Sequence, residues 1–181
     1  MADVRRRNEV EVKYMMLNQQ EKKSFLADLE AMPDFLVEAF ADLPESVLTM
    51  SGPNESFCPV EHVWHLADLE QQGFALRIRR LQAEDNPQLP DFDGDSVAKE
   101  GNYKARSFDE GIATFRAARG DNIATLRGLT HTEWFNAGEQ EGVGSVSLCD
   151  IPAMMAEHDE VHRMEIAEWL SLRKSERPEK R

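Results

Sequence analysis

Apolar residues recur with helical periodicity from Asn18 to Leu172, and this pattern constrains the fold of the chain more than any other feature. Apolar side chains return every three or four positions, and this spacing places them along one face of an α-helix. No stretch shows the clean alternation of apolar and polar residues that indicates a half-buried strand. The pattern therefore predicts an all-α fold with little or no sheet. Its four amphipathic helices are expected at about residues 18–42, 59–84, 107–129 and 147–171.

Local signals mark the starts of three of these helices. Pro59 suits a first helical turn, where its missing N–H is no loss. Ser107 is followed three residues later by Glu110, and Ser147 is followed in the same way by Asp150. Both pairs have the spacing of a capping box, which satisfies free backbone N–H groups at a helix start. Four helices of this kind predict a four-helix bundle.

Two of the connections, at residues 85–106 and 130–146, are long for a bundle. About 2–8 residues normally join neighbouring helices of a compact bundle. Inside the first predicted helix, Pro33 should break or restart the helix, because proline cannot donate a backbone hydrogen bond and clashes with the preceding turn. At about 150 residues per domain, the 181 residues predict one domain over residues 1–181.

The chain has a net charge of −13, and the acidic groups are concentrated between two basic ends, residues 1–23 and 172–181. Nucleic-acid-binding proteins gain affinity by neutralising phosphates, so this balance argues against DNA or RNA as a partner. No apolar run approaches the roughly 18 residues of a membrane span. Two cysteines without a CxxC motif favour a reducing cytoplasm over an oxidising compartment. We therefore expect a cytoplasmic protein that binds neither nucleic acid nor membrane.

The fourth predicted helix carries the pair His158 and His162, four residues apart and therefore on one face. Both occupy positions where the apolar stripe of this helix should continue. A polar group in a core costs about 1–3 kcal/mol when it has no partner, and a shared metal ion would supply one. In the alternative interpretation, the two histidines are partly exposed and bind Asp159, Glu160 or water. Asp159 is itself expected to be solvated, or to orient a ligand.

The second predicted helix offers a third histidine, His65, which flanks the core side of that helix. In a bundle it could meet His158 and His162 from a facing helix. Glu61 lies one turn before His65, where it could accept a hydrogen bond from the ring and orient it. His62 is expected to point to the surface.

Four other residues have competing interpretations. His131 lies in a loop and is expected to be exposed. Arg119 falls in the apolar stripe of the third helix, where it could reach out to solvent, pair with a buried acidic neighbour, or meet an anionic substrate. Cys58 and Cys149 stand near helix starts, where a thiolate is favoured, but small buried apolar residues are the usual fate of free cysteines.

Several of these motifs, taken in order, resemble the DinB-like, or YfiT-like, superfamily. Residues 57–68, FCPVEHVWHLAD, are similar to its helix-two signature, in which a glutamate is followed four residues later by the His of "HL". The resemblance covers about residues 24–170. It continues through segments 79–90, 115–119, 129–134, 144–148 and 157–162.

The resemblance implies a bundle with up-down-down-up topology, in which the connection at 85–106 crosses the length of a helix. It also implies one divalent metal ion, zinc or nickel, held by His65, His158 and His162. The remaining coordination positions would be open to water or substrate, as in catalytic zinc sites. Family members with assigned chemistry are mostly transferases or isomerases that use low-molecular-weight thiols, and others are described as hydrolases.

Two functions are therefore expected from the sequence. In the first, the protein is a metal-dependent enzyme that transfers a low-molecular-weight thiol to a small-molecule substrate, or activates water on it. In the second, the bundle binds a metal or ligand without catalysis and acts as an interaction scaffold. A homodimer is expected in either case, because two-fold dimers are the commonest soluble oligomers and related bundles are often dimeric.

Overall fold

The fold is dominated by α-helices, which the computed structural model describes over residues 14–52 and 55–175. Leu69–Phe74 is a π-helical turn between the α-helices Pro59–Asp68 and Ala75–Ala83, so that the second bundle helix is continuous from Pro59 to Ala83. The helices are α1 Gln19–Glu30, α2 Met32–Phe40, α3 Pro59–Asp68, α4 Ala75–Ala83, α5 Gly94–Gly101, α6 Phe108–Gly128 and α7 Ile151–Ser175. Helical structure thus covers the four predicted segments, with boundaries that differ by a few residues.

The helix starts follow the sequence signals closely. Pro33 lies in the first turn of α2, and the first predicted helix is indeed divided at Ala31. The Ser107 hydroxyl accepts a hydrogen bond from the Glu110 backbone N–H at 3.3 Å, as its capping pattern predicts. At the start of α3, the Glu61 carboxylate accepts the Cys58 backbone N–H at 2.9 Å.

The predicted start of the fourth helix at residue 147 is wrong by four residues. Ser147 ends a β-strand, and its N–H and hydroxyl both donate to the Asp150 carboxylate, at 2.8 and 2.6 Å. Helix α7 begins only after Asp150, at Ile151. The serine and the aspartate therefore interact as their spacing suggests, but strand pairing holds the serine outside the helix.

The structure is mostly helical, as the prediction of an all-α fold with little or no sheet requires, but it adds a small sheet of three strands, β1 Gln88–Leu89, β2 Ala137–Gln140 and β3 Gly144–Ser147. A small sheet with the order β1-β2-β3 pairs β1 with β2 in parallel and β2 with β3 in antiparallel fashion. Gly142 and Gly144 have φ values of 74° and 102°, which allow the tight turn before β3. The strands are too short for their alternation to stand out in the sequence.

The long connection at residues 85–106 is not an irregular loop. It contains strand β1 and helix α5, and the Asp93 side chain caps α5 by accepting the Ser96 N–H at 3.1 Å. This connection passes over the second bundle helix and brings Gly94 against it.

The core consists of two apolar clusters with buried polar residues between them. Along α7, Met155 belongs to the first cluster and Ile166 to the second, and the polar residues His158, Asp159 and His162 lie between them. Along α6, Ile123 and Phe115 belong to the two clusters and enclose Arg119. The bundle therefore has a polar middle layer, which contains the functional site.

Within the described part of the chain, no helix is long and apolar enough to cross a membrane.

Candidate metal centre

The three histidines singled out by the sequence lie together in the polar layer. The Nε2 atoms of His65 and His158 are 3.3 Å apart. The ring of His162 is centred 4.5 Å from that of His158 and 5.0 Å from that of His65. One nitrogen from each of the three rings falls within 4.8 Å of the others. Two helices, α3 and α7, thus direct three imidazoles at one point.

Close packing holds the His65 ring in place. A Cβ atom at position 94 would collide with Cε1 of His65 and lie 3.0 Å from its Nδ1, so that only glycine fits there without a shift. Ring centroids of Phe57 and Phe92 lie 5.3 and 6.0 Å from that of His65. The ring is therefore bounded by two phenylalanines and by backbone.

The donor chemistry of the cluster fits a divalent metal ion. Burial, followed by the charge of His162, lowers the pKa of His65 to about 4 and that of His158 to about 3. Both rings are therefore neutral at neutral pH. Their Nδ1 atoms are buried without a hydrogen-bond partner among residues 14–52 and 55–175. Neutral imidazole nitrogens are good ligands for zinc and nickel, and three of them leave a coordination position open.

A fourth histidine, His62, belongs to the same cluster, and its predicted surface position is wrong. Its side chain is 2% exposed, and its Nδ1 lies 2.9 Å from Nδ1 of His162. The Glu165 carboxylate lies 3.3 Å from the same His162 atom and 3.9 Å from Nδ1 of His62. Burial, followed by the charge of His162, lowers the pKa of His62 to about 3. His62, His162 and Glu165 form a second group that could hold a cation.

The spacing of His62 and His65 was the signal that could have revealed this. Residues three apart on a helix are separated by about 60° around its axis, so both belong to one face. The apolar stripe around Trp64 hides the inward position of His62, because this stripe indicates a different inner face for the helix.

Glu61 does not contact His65 as predicted. Its carboxylate accepts the Cys58 N–H and lies 3.9 Å from Nζ of Lys104. It therefore acts at the helix start, where backbone N–H groups without helical partners attract a carboxylate. His131 lies in an exposed turn against Phe135, as expected.

A buried ionic network lies beside the histidines. Arg119, 2% exposed, donates to both carboxylate oxygens of Asp159, at 2.7 and 2.9 Å, and to the Glu70 carboxylate at 2.7 Å. It also donates to the Leu29 carbonyl at 3.0 Å, and Asn122 donates to Glu70 at 2.6 Å. Among the interpretations of Arg119, pairing with a buried acidic residue is confirmed. The expectation that Asp159 is solvated is wrong, because a partner 40 positions away buries it.

The fold and the cluster define a class of protein: a helical bundle whose polar middle layer presents convergent histidines from two helices. The comparison with family models identifies that class, since the DinB superfamily model matches residues 28–166. This chain belongs to the DinB superfamily.

Among solved structures, the chain is similar to YfiT from Bacillus subtilis, which is described as a probable metal-dependent hydrolase with an unusual four-helix bundle topology. The TM-score is 0.76, with 19% sequence identity over 97% of this chain and 95% of that one. At this identity the similarity shows the shared fold. No curated protein matches the sequence.

Proposed function

We propose that this protein is a metal-dependent enzyme that holds one zinc or nickel ion with His65, His158 and His162. It would use the ion to activate a low-molecular-weight thiol or water for reaction with a small molecule. The observation that carries the proposal is the convergence of three imidazoles from α3 and α7, two of them with Nε2 atoms 3.3 Å apart. The description of YfiT as a probable metal-dependent hydrolase supports it.

When bound, such an ion lowers the pKa of a coordinated thiol or water and so supplies a nucleophile at neutral pH. The chain's own residues prepare the position. Burial keeps the imidazoles of His65 and His158 neutral, so that their lone pairs are available. Gly94 fixes the His65 ring. His62 and Glu165 engage Nδ1 of His162 and leave its Nε2 as the nitrogen for a ligand bond.

Neither cysteine of the chain is suited to be the nucleophile. Cys58 is fully buried, and burial raises the pKa of its thiol to about 12. The Cys149 thiol is buried and lies 3.0 Å from the Trp134 carbonyl oxygen, to which it donates. A thiol that reacts at this site would therefore come from a small molecule.

The test is metal content measured by elemental analysis on protein purified without an affinity tag and reconstituted with zinc or nickel at pH 7.5. The wild type should retain one ion per chain. His158→Ala and His162→Ala each remove one of three ligands and should weaken binding by 100-fold or more, whereas His131→Ala should leave affinity within a few-fold. A wild type that never retains stoichiometric metal would overturn the proposal, as would loss of binding in His131→Ala alone.

We also propose the up-down-down-up path. The four helical units of the bundle are α1 with α2, α3 with α4, α6, and α7. The supporting observation is the order in which the chain passes the two apolar clusters along each unit. The first and fourth units run from the first cluster to the second, as Leu29 and Leu36 illustrate for the first unit. The second and third run the opposite way, as Val63 and Ile78 illustrate.

A further inference from the structure

Arg77 on α4 is a buried cation that lacks the partners such a group needs. Its side chain is 5% exposed, and its Nε has no hydrogen-bond partner anywhere in residues 14–52 and 55–175. The nearest carboxylate, that of the exposed residue Asp91, lies 3.9 Å from Nη2, which is too far for a hydrogen bond. The guanidinium carbon lies 5.5 Å from the centre of the Phe74 ring.

Arg77 lies on the edge of the histidine cluster. The segment from Asp91 to Gly94 touches both: Asp91 is beside Arg77, while Phe92 and Gly94 pack against His65. The opposite edge of the cluster is acidic, because Glu165 lies beside His62 and His162.

A buried guanidinium N–H without a hydrogen bond is energetically costly, and a carboxylate relieves that cost with two parallel, charge-assisted hydrogen bonds. Arginine is particularly suited to this because its N–H groups form a planar fork that matches a carboxylate. The chain as a whole carries a charge of −13 and repels anions. An anionic group that enters this site would therefore be attracted to the Arg77 edge and repelled by the Glu165 edge.

From this arrangement we propose that Arg77 binds the carboxylate of a small molecule whose metal-seeking group, such as a thiol, reaches the histidine cluster. The proposal rests on the proposed function for the second contact, the one at the metal. It specifies the substrate class as carboxylate-bearing, with the anion held on the α4 side of the site. Arg77 is then a binding and specificity residue.

The experiment compares two thiols of the same size, 3-mercaptopropionate and the neutral 3-mercaptopropionamide, by calorimetric titration of the zinc-loaded protein. The wild type should bind the acid at least tenfold more tightly than the amide, because only the acid can pair with Arg77. Arg77→Met should abolish this preference while amide binding stays within a few-fold. Arg79→Met, which removes an exposed arginine from the same helix, should retain the preference.

Zinc stoichiometry and circular dichroism of each variant separate a folding defect from loss of recognition, and Arg77→Lys should restore part of the preference. Equal binding of acid and amide to the zinc-loaded wild type would overturn the assignment of Arg77 and leave the metal proposal standing. So would an equal loss of preference in the variants at positions 77 and 79.

If the protein holds no zinc, the proposed function fails and the Arg77 site is tested separately. The metal-free protein is titrated with 3-mercaptopropionate while the Nε–H signal of Arg77, assigned by its absence in Arg77→Met, is followed by NMR. A saturable shift of that signal, not reproduced by the amide, would support a carboxylate site without metal. An unchanged signal would overturn it.

Discussion

The bundle buries polar groups in two adjoining regions, which differ in how completely these groups are hydrogen-bonded within the protein. In the network around Arg119, the guanidinium donates short hydrogen bonds to the carboxylates of both Glu70 and Asp159. In the histidine site and at its edge, Nδ1 of His65, Nδ1 of His158 and Nε of Arg77 have no hydrogen-bond partner in the part of the chain that the structure describes. The first region is complete within the protein, whereas the second has capacity left for a ligand.

The difference separates stability from function within one layer of the fold. Removing one member of a paired buried network leaves charges without partners and destabilises a protein by about 3–5 kcal/mol. Removing a buried polar group that has no hydrogen-bond partner instead removes an unfavourable contribution to the free energy of folding. The two regions should therefore respond differently to matched substitutions and to pH, in the following order of size.

The largest expected effect is acid destabilisation of the metal-free protein through His62, His65 and His158. Their pKa values of about 3 to 4 in the folded state lie below the ordinary value of about 6.5 for an unfolded histidine. The unfolded state therefore binds more protons between these values, and stability falls as the pH drops below about 6.5. Each such histidine can contribute up to about 1.4 kcal/mol per pH unit.

Urea unfolding of the metal-free protein between pH 7 and pH 5 measures this slope. His62→Phe should reduce it, while His131→Phe, at an exposed position, should not change it. An equal slope in all three proteins would show that the cluster does not control acid stability.

The next largest effect concerns the paired network. Arg119→Met should lower the free energy of unfolding by about 3–5 kcal/mol, because Glu70 and Asp159 lose their shared cation. Arg127→Met on the same helix breaks an exposed pair with Glu30 and should cost less than about 1 kcal/mol. Denaturant titration at pH 7 measures both, and similar losses would contradict the contrast between the regions.

A smaller effect is expected for the fourth histidine. His62→Phe removes the hydrogen bond at Nδ1 of His162 while it preserves ring volume, and should weaken zinc binding by about 10–100-fold. Competition with a chelator of known affinity measures the change. An effect as large as that of His158→Ala would identify His62 as a ligand, and no effect would leave it a packing residue.

The smallest effect is expected at Arg77. Arg77→Met should leave the free energy of unfolding within about 1 kcal/mol of the wild type or raise it, because it replaces an incompletely paired buried cation with an apolar side chain of similar length. The same denaturant titration gives the answer. A loss as large as that of Arg119→Met would show that Arg77 is structural.

The sequence predicted much of the bundle and part of the site. His65, His158 and His162 could be brought together because helical spacing and an ordered set of motifs both point to them. Local spacing also located the helix starts, apart from that of α7, where strand pairing competes with the cap. These features depend on residues close together in the chain.

The features that were missed depend on contacts between distant residues. Asp159 is buried because Arg119 reaches it from another helix, and helix α7 alone gives no sign of that partner. Arg77 stands between Phe74 and Ile78 in the buried stripe, where a basic residue could have been noted. Strand β1 pairs with β2 across 51 positions, and the strands of the local β2–β3 hairpin carry too few residues for a visible alternation.

The π-helical turn Leu69–Phe74 has a consequence for how the site tolerates the deletion of single residues during evolution. Twelve residues separate His65 from Arg77, which in a regular α-helix would place them about 120° apart. A π turn accommodates one extra residue and offsets about 100° of that angle, so both side chains face the same interior. A deletion of one residue among 69–74 would rotate α4 relative to α3 and separate the cation from the histidines. The number of residues in this π-helical turn therefore determines whether Arg77 and the histidines face the same interior.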